Sequence, residues 1–343
     1  MIEILWTDAL IFLLVAAITG FAFYARSREH LRAPWRQVIR KPLGMSALVI
    51  LLVYVLIGLL DSLHFRPELE QQNGDNTEVQ YAATIVSVLD LMLDDLRSST
   101  EKTYSAPFAL RQYNKETIED EQGNKRREYP RLLHAGTHLQ DPSMHAHDIT
   151  QRILFTLVGG LMVWVLSVAF IVLLVILKTG DSLQKVLHTM WRGQRDLPWR
   201  SLFATLGFIV LVALFLMNTA SVYHVLGTDK VGEDVLYQAI KSIRTGLVIG
   251  TLTTLIMLPF AVLLGIMAGY IKGWVDDVIQ YIYTTLNSIP GVLLIAAAVL
   301  MMLVYMETHP DLFGTGVERS DFRLLFLCMI LGVTSWTDRK SVV

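Results

Sequence analysis

Four histidines and two aspartates crowd the stretch HAGTHLQDPSMHAHD: His134, His138, His145 and His147, with Asp141 and Asp148. Imidazole and carboxylate groups are ligands for zinc or copper. The spacing here matches no defined metal site, so the stretch reads as a polar loop beside a membrane helix, with no metal expected. Asp94–Asp95 and Asp276–Asp277 are adjacent carboxylates. Neighbouring residues on a helix do not face each other, so neither pair resembles an acid/base couple. The chain has no G-x-x-x-x-G-K-[ST] phosphate loop, H-E-x-x-H or G-x-S-x-G sequence. No covalent chemistry and no cofactor are expected. A different set of polar residues interrupts the apolar run 278–305: Gln280, Thr284, Thr285, Asn287, Ser288 and Pro290. Thr284, Asn287 and Ser288 share one helical face. That face reads equally as the lining of a polar path or as a helix-packing surface.

The elements that would hold these residues follow from composition. The 343 residues are 53% hydrophobic and 17% charged, too apolar for a soluble domain of this size. A net charge of −2 gives no reason to expect nucleic acid as a partner. The single cysteine, Cys328, forms no internal disulfide. The first apolar run lacks the positive flank and cleavage site of a secretory signal, so it reads as a retained helix. A membrane-spanning helix needs roughly 20 apolar residues. The runs 4–25, 43–63, 153–177, 201–223, 243–270 and 278–305 qualify, and 323–336 is a short seventh candidate. The expected fold is thus an all-α polytopic membrane protein of about seven spans.

Arg26, Arg28, Arg32, Arg36, Arg40 and Lys41 place 26–41 inside the cell, and Lys178, Lys185, Arg192, Arg195 and Arg200 do the same for 178–200. Parity then puts the N-terminus, 64–152, 224–242 and 306–322 outside, which is the periplasm in a Gram-negative cell. The expected parts are 1–63 (membrane helices), 64–152 (periplasmic insertion), 153–200 (a helix and basic cytoplasmic loop), 201–336 (a helical core) and 337–343 (a tail). The insertion opens with the loop QQNGDNTE. It continues into an amphipathic helix over 79–98 with Ala82, Ile85, Leu89, Met92 and Leu96 on one face. ETIEDEQGNKRREYPR reads as a solvated loop or hairpin. In 226–250, Gly227 and Gly232 allow a tight turn and Asp229 can accept from backbone amides. Asp234 favours a helix start. The stripe Leu236, Ala239, Ile243 and Leu247 predicts a short helix along the outer membrane surface, with the chain entering the membrane at Thr245–Gly246.

The stretch LGTDKVGEDVLYQAIKSIRTGLVIG resembles the opening of the membrane core of dipeptide/oligopeptide permeases, the membrane subunits of binding-protein-dependent ABC importers. The residues that carry the resemblance are Leu226, Gly227, Thr228, Asp229, Gly232, Asp234, Val235, Leu236, Arg244 and Gly250. Downstream, LLGIMAGYIKGWVDDVIQYIYTTLNSIPGVLL is similar to the family's G-x-x-x-GY-x-x-GW-x-D loop and the helix after it. Gly269, Tyr270, Gly273, Trp274, Asp276 and Pro290 match. The resemblance covers roughly 201–336 and, less specifically, 41–63. It implies a partial type I importer core in the bacterial inner membrane. The implied partners are a second permease subunit in a heterodimer, cytoplasmic ATPase subunits, a periplasmic substrate-binding protein and the lipid bilayer. The implied motion is alternating access; if the polar face of 278–305 lines a path rather than a packing surface, Thr284, Asn287, Ser288 and Pro290 would lie along it.

The chain also departs from the family. Glu233 stands where an arginine is common, and Tyr281 and Thr284 stand where an arginine and an aspartate usually pair. After SWTDRKSVV neither the Glu-Ala-Ala segment that docks the ATPase nor two further spans follow. The expectation is therefore a permease chain truncated before its coupling loop. Two other classes remain in view. One is a membrane sensor or scaffold that uses 64–152 to bind a ligand or partner. The other is a secondary transporter, which would need buried ionisable residues that the spans almost lack. Peptides are the family's default substrate, with nickel, sugars and other small solutes carried by some relatives.

Overall fold

Lipid offers the backbone no hydrogen-bond partners, so apolar runs of this length settle into helices. The computed structural model describes residues 2–68, 81–82, 84–119, 125–191, 197–271, 273–310 and 315–339. The loop QQNGDNTE, Arg192, Arg195 and the end of the tail lie outside the described residues. The helices are α1 (Trp6–Arg26), α2 (Glu29–Arg40), α3 (Pro42–Asp61), α4 (Val88–Met92), α5 (Asp94–Ser98) and α6 (His145–Thr179). Then come α7 (Leu183–Trp191), α8 (Trp199–Ala220), α9 (Val235–Ile271), α10 (Trp274–Ser288), α11 (Gly291–Thr308) and α12 (Gly316–Arg339). Strands β1 (Ile2–Glu3), β2 (His64–Phe65) and β3 (Val86–Ser87) form a small antiparallel sheet in that order. Strands β4 (Glu116–Glu119) and β5 (Lys125–Glu128) pair as a hairpin with Glu116 opposite Glu128, within the stretch expected to be a loop or hairpin. Among the described residues six helices are long and apolar enough to cross a membrane: α1, α3, α6, α8, α9 and α11. The chain is a mainly helical, multi-pass membrane protein.

Several expectations need correction. The run 278–305 is not one span. Ile289 leaves the helix with ψ of 124° because the residue before a proline is pushed out of the helical region, and α11 restarts after Pro290. The short seventh candidate is part of the 24-residue helix α12. No separate surface helix precedes the span at 243–270, since α9 runs unbroken for 37 residues. The single helix expected over 79–98 is broken into β3, α4 and α5. The break at Ser87 has a local cause. The Asp90 N–H donates to Ser87 Oγ at 3.1 Å, and the Ser87 N–H donates to Asp90 Oδ2 at 3.0 Å. This reciprocal cap starts a new helix at Val88. Of the expected apolar face, Ile85 and Leu89 are buried and Met92 is exposed. The basic segments 26–41 and 178–200 contain α2 and α7.

The chain divides into two compact units. One comprises Met1–Gly20, Ile57–Leu91 and Ser242–Val343. In it Val248, Leu252 and Cys328 form a buried cluster, while Met257, Ala261, Ala268, Val275 and Ile279 form another. The second unit comprises Phe21–Leu56 and Met92–Lys241. Here α6 and α8 pack antiparallel. Asn218 Nδ2 donates to Thr156 Oγ1 at 3.1 Å, Gly160 lies against Leu211, and Trp164 Nε1 donates to the Phe203 carbonyl at 2.8 Å. Partners thus descend α8 as they climb α6. Gly180, at φ of 68°, ends α6 in the left-handed conformation that glycine tolerates. Residues that parity assigns to one side meet each other: Ser46 and Ser201 Oγ atoms lie 2.6 Å apart, and Ser201 Oγ donates to the Pro42 carbonyl.

Glycine sets the closeness of α6 and α8. A Cβ on Gly207 would stand 2.8 Å from Trp164 Nε1, whereas one on Gly159 would meet open space. Gly207→Leu is therefore expected to destabilise the pair by about 1–3 kcal/mol, the usual range for overpacking. Thermal unfolding in detergent should show a lowered midpoint for this variant and little change for Gly159→Leu. Equal midpoints for the two variants would refute a close-packing role for Gly207.

Candidate functional site

In the first unit, a buried ionic cluster joins residues from three helices. Arg244, on α9, extends its guanidinium towards α1 and α12. Its Nη2 donates to Asp8 Oδ1 at 2.5 Å and to Thr7 Oγ1 at 2.8 Å, and lies 3.7 Å from Asp321 Oδ1. Its Nε donates to Ser62 Oγ at 3.2 Å. Thr7 in turn donates its N–H to Asp321 Oδ2 at 3.0 Å and its hydroxyl to Asp321 Oδ1. The second oxygen of Asp8 lies 2.8 Å from His64 Nδ1 on β2. Asp8 and Thr7 are fully buried, and Asp321 nearly so. Close by, Ser87 Oγ donates to Asp61 Oδ1 at 2.8 Å, so β3 is fastened to the end of α3. One guanidinium faces two carboxylates here, and almost every oxygen has a donor. That is the condition under which buried charge is tolerable. A cavity of about 310 Å³ opens beside the cluster, lined by Leu5, Arg244, Asp321, Arg323 and Leu324 among others.

The second unit contains the glycine-marked turn. Gly227 and Gly232 have φ of 78° and 84°. A Cβ at Gly227 would overlap the Ser105 carbonyl oxygen, and one at Gly232 the Glu101 carbonyl oxygen. Both positions therefore require glycine for two reasons, left-handed backbone and close approach. Asp229 Oδ1 accepts from the N–H groups of Val231 and Glu233 at 3.0 and 2.9 Å, and Oδ2 accepts from Gln238 Nε2 at 2.9 Å. The Gln238 bond, with those backbone donors, holds the Asp229 carboxyl below the usual carboxylate range. Asp234 caps α9 by accepting from Leu236 N and Tyr237 N, while its other oxygen lies 2.6 Å from His224 Nδ1.

The preceding insertion grips this turn. Thr228 donates its N–H to Ser105 Oγ at 3.1 Å and its hydroxyl to the Thr103 carbonyl at 2.8 Å. Glu101 N donates to the Gly232 carbonyl at 2.8 Å. The buried Glu101 carboxylate accepts from the N–H groups of Leu133 and His134 and lies 3.5 Å from His224 Nε2. The histidine-rich stretch serves packing. Tyr223 donates to Asp148 Oδ2 at 2.7 Å, with Arg152 and His138 also on Asp148. Burial, followed by this bond to Asp148, pushes the Tyr223 phenol up from its ordinary value. Among the described residues no group of three or more such side chains could hold a metal.

The remaining sequence-derived residues lie apart from both clusters. Tyr270 and Trp274 are exposed, Gly269 and Asp276 are on the surface, and Gly273 (φ of 63°) precedes α10. Thr284 and Ser288 are exposed on α10 and donate to the carbonyls of Gln280 and Thr285. Asn287 is exposed too, on a helix that buries Val275 and Ile279, and so is Pro290, which caps the start of α11. Among the described residues the face carrying Thr284 and Ser288 is exposed. Leu226 is half-exposed at the rim of the turn. The residues sequence reasoning missed are Asp8, Asp321, His64 and Glu101. The expectation that the spans almost lack ionisable residues fails at Asp8 and Arg244. A usable signal existed, since parity puts residues 8, 64, 244 and 321 on one side, with charges of both signs at helix ends.

Bacterial transport proteins are among the proteins to which the chain is similar. One is the glutathione transport system permease protein GsiD of Pectobacterium atrosepticum, with 35% identity over 79 residues, 23% of this chain and 26% of the relative. Another is the oligopeptide transport system permease protein OppC of Mycobacterium bovis, with 30% identity over 128 residues, 37% of this chain and 38% of the relative. A third is the dipeptide transport system permease protein DppC of Lactococcus lactis subsp. cremoris, with 32% identity over 120 residues, 35% of this chain and 30% of the relative. The chain therefore spans between 26% and 38% of the length of these relatives. No protein-family model and no solved structure matches it.

Two outcomes follow. Arg244→Met leaves Asp8 and Asp321 buried without their cation, and is expected to cost about 3–5 kcal/mol. Adding Asp8→Asn and Asp321→Asn should restore a large part of that loss. A single variant as stable as the wild type would remove the cluster's structural role. For the turn, a depressed carboxyl stabilises the fold above its ordinary value of about 4, and that contribution fades as pH falls through the folded-state value. Amide exchange over 230–238, corrected for intrinsic rates, should show stronger protection in wild type than in Asp229→Asn at neutral pH. The gap should close as the solution is acidified. A gap independent of pH would be inconsistent with this account.

Proposed function

We propose that the chain is a membrane permease subunit of an ABC importer that takes up peptides or similar small solutes, driven by ATP hydrolysed on separate cytoplasmic subunits. The observation that carries this reading is the similarity at 30–32% identity over 120–128 residues to permease proteins of oligopeptide and dipeptide transport systems. The turn Leu226–Asp234 supports it. Its fixed shape and its clamp by the insertion suit a rigid outer surface on which a substrate-binding protein could dock. In the same reading, the loop with Gly269, Tyr270, Gly273, Trp274 and Asp276 faces the cytoplasm. The exposed polar face of α10, with Thr284 and Ser288 and continuing to Asn287 and Pro290, borders the translocation path shared with a second permease subunit.

The mechanism needs mechanical coupling rather than covalent chemistry. Arg244 ties α1, α9 and α12, so these helices would move together when the bundle rocks between outward- and inward-open forms. A polar path open alternately to each side requires helices that keep their contacts while shifting, and a fully bonded buried cluster holds such contacts. The test is uptake of a labelled tripeptide by membrane vesicles from the native cell. Uptake should be stopped by vanadate and by deletion of this gene, and should survive a protonophore. Uptake that depends on the gene, collapses with the protonophore and ignores vanadate would instead identify an ion-coupled carrier. Uptake unchanged by the deletion would refute the proposal.

A further inference from the structure

A second cavity, also of about 310 Å³, lies in the other unit between α6, α7 and α8. It falls within the ~300–1,000 Å³ range of sites for small molecules. Its walls are Trp164 from α6, Met190 and Trp191 from α7, and Trp199 and Phe203 from α8, with Arg200 also lining it. The floor is rigid. Val172, Val186 and Met190 are buried together, and Trp164 Nε1 is fixed to the Phe203 carbonyl. The chemistry is two-part, an apolar aromatic groove beside a cation. The Arg200 guanidinium stands 5.8 Å from the centroid of the exposed Trp191 ring, and among the described residues it pairs with no carboxylate. Among the described residues Trp199 Nε1 is buried without an acceptor.

The location narrows the occupant. The cavity lies where the first turns of α8 and the end of α7 meet the middle of α6, and the positive-inside rule assigns the start of α8 to the cytoplasmic leaflet. Aromatic rings gather at that depth because one edge is apolar and the other wet. That leaflet carries anionic lipid, and basic pockets between membrane helices on that side hold anionic headgroups. Helix α7 is amphipathic. Its Val186 and Met190 are buried, while Leu183, Leu187 and Trp191 stay exposed. A short helix with one buried and one exposed apolar stripe is of the kind that suits the interface plane, and its Met190 and Trp191 form one wall of the cavity.

We propose that this cavity is a binding site for an anionic phospholipid, with an acyl chain between Trp164, Met190 and Phe203 and the headgroup phosphate on Arg200. The occupant comes from the bilayer, and charge complementarity at Arg200 selects it over zwitterionic lipid. The site stands on its own geometry and does not depend on the transport reading.

The test uses the full chain reconstituted in phosphatidylcholine vesicles doped with a phosphatidylglycerol carrying a photoactivatable acyl chain. Cross-linked peptides are then mapped by mass spectrometry. Labels are expected on residues of the groove, and excess unlabelled phosphatidylglycerol should suppress them about fivefold more than the same excess of phosphatidylcholine, the preference one cation at an anionic surface supplies. Arg200→Gln should abolish that preference while Arg200→Lys keeps part of it. Ala204→Trp, which fills the groove, should lower labelling there whichever lipid competes. Equal suppression by the two lipids in wild type would mean ordinary boundary lipid and would overturn the proposal. So would suppression by free myristate as effective as that by phosphatidylglycerol, or labels falling outside the groove.

Discussion

A guanidinium within an apolar helix bundle has few acceptable surroundings. Removing a charge from water costs several kcal/mol even after relaxation, and only well-placed partners offset it. Arg244 meets this constraint by recruiting Asp8 from α1, Ser62 from the end of α3, and Asp321 and its partner Thr7. None of these residues could move away without leaving a neighbour unpaired. The order of helices in the first unit is therefore set by hydrogen bonding at one end of the bundle as much as by apolar packing along its length. Apolar side chains do not specify a register against lipid, because helix–helix and helix–lipid contacts are similarly favourable. A bidirectional polar cluster does specify one.

The glycine turn solves a related problem outside the apolar region. A loop exposed to water has no hydrophobic reason to keep one shape. Here shape comes from backbone groups satisfied from several directions. Asp229 bonds within the turn, Thr228 is held by Thr103 and Ser105, and Gly232 accepts from Glu101. The stretch 64–152 was expected to be a periplasmic insertion. Within it, Glu101, Thr103 and Ser105 hold the turn, and Leu133 and His134 hold Glu101. Glu101 does this from inside, since its carboxylate takes two backbone N–H groups while its own backbone holds Gly232.

Spans were legible in the sequence because length and hydropathy alone define them, and the ends of most apolar runs fall within a few residues of helix ends. Local hydrogen bonding was less legible. The helix expected over 79–98 failed because a Ser-x-x-Asp cap inside it, at Ser87 and Asp90, competes with continuation, and a moment calculated over apolar positions does not register a cap. The run 278–305 failed at Pro290, whose effect falls on the residue before it and opens the helix completely. The short surface helix before residue 245 failed because Asp234 caps a helix that has no reason to stop. Nothing in QAIKSIRTG breaks it, and Arg244 finds its partners without leaving the helix. The long-range partners of Arg244 and His224 were not legible at all. They come from segments 77 (Asp321) to 237 (Thr7) residues away in sequence, and only the folded chain brings them together.

Parity was the one sequence argument that reached across such distances. It assigned residues 8, 64, 244 and 321 to one side without reference to any contact, and the ionic cluster requires that they be on one side. It assigned 101, 134, 224 and 228 to that side too, and they meet in the other cluster. It put 42, 46 and 201 on the opposite side, and these also meet. The positive-inside rule concerns insertion, and hydrogen bonding concerns the folded state, so the two are physically independent. The contacts agree with the count of spans and would be the same in either orientation, so the choice between the two orientations rests on the basic segments alone. A reversed topology would still satisfy every apolar helix. It would move Arg200 and the other cations of α7 and its flanks away from the anionic leaflet, and that loss falls on the residues that line the lipid-facing groove.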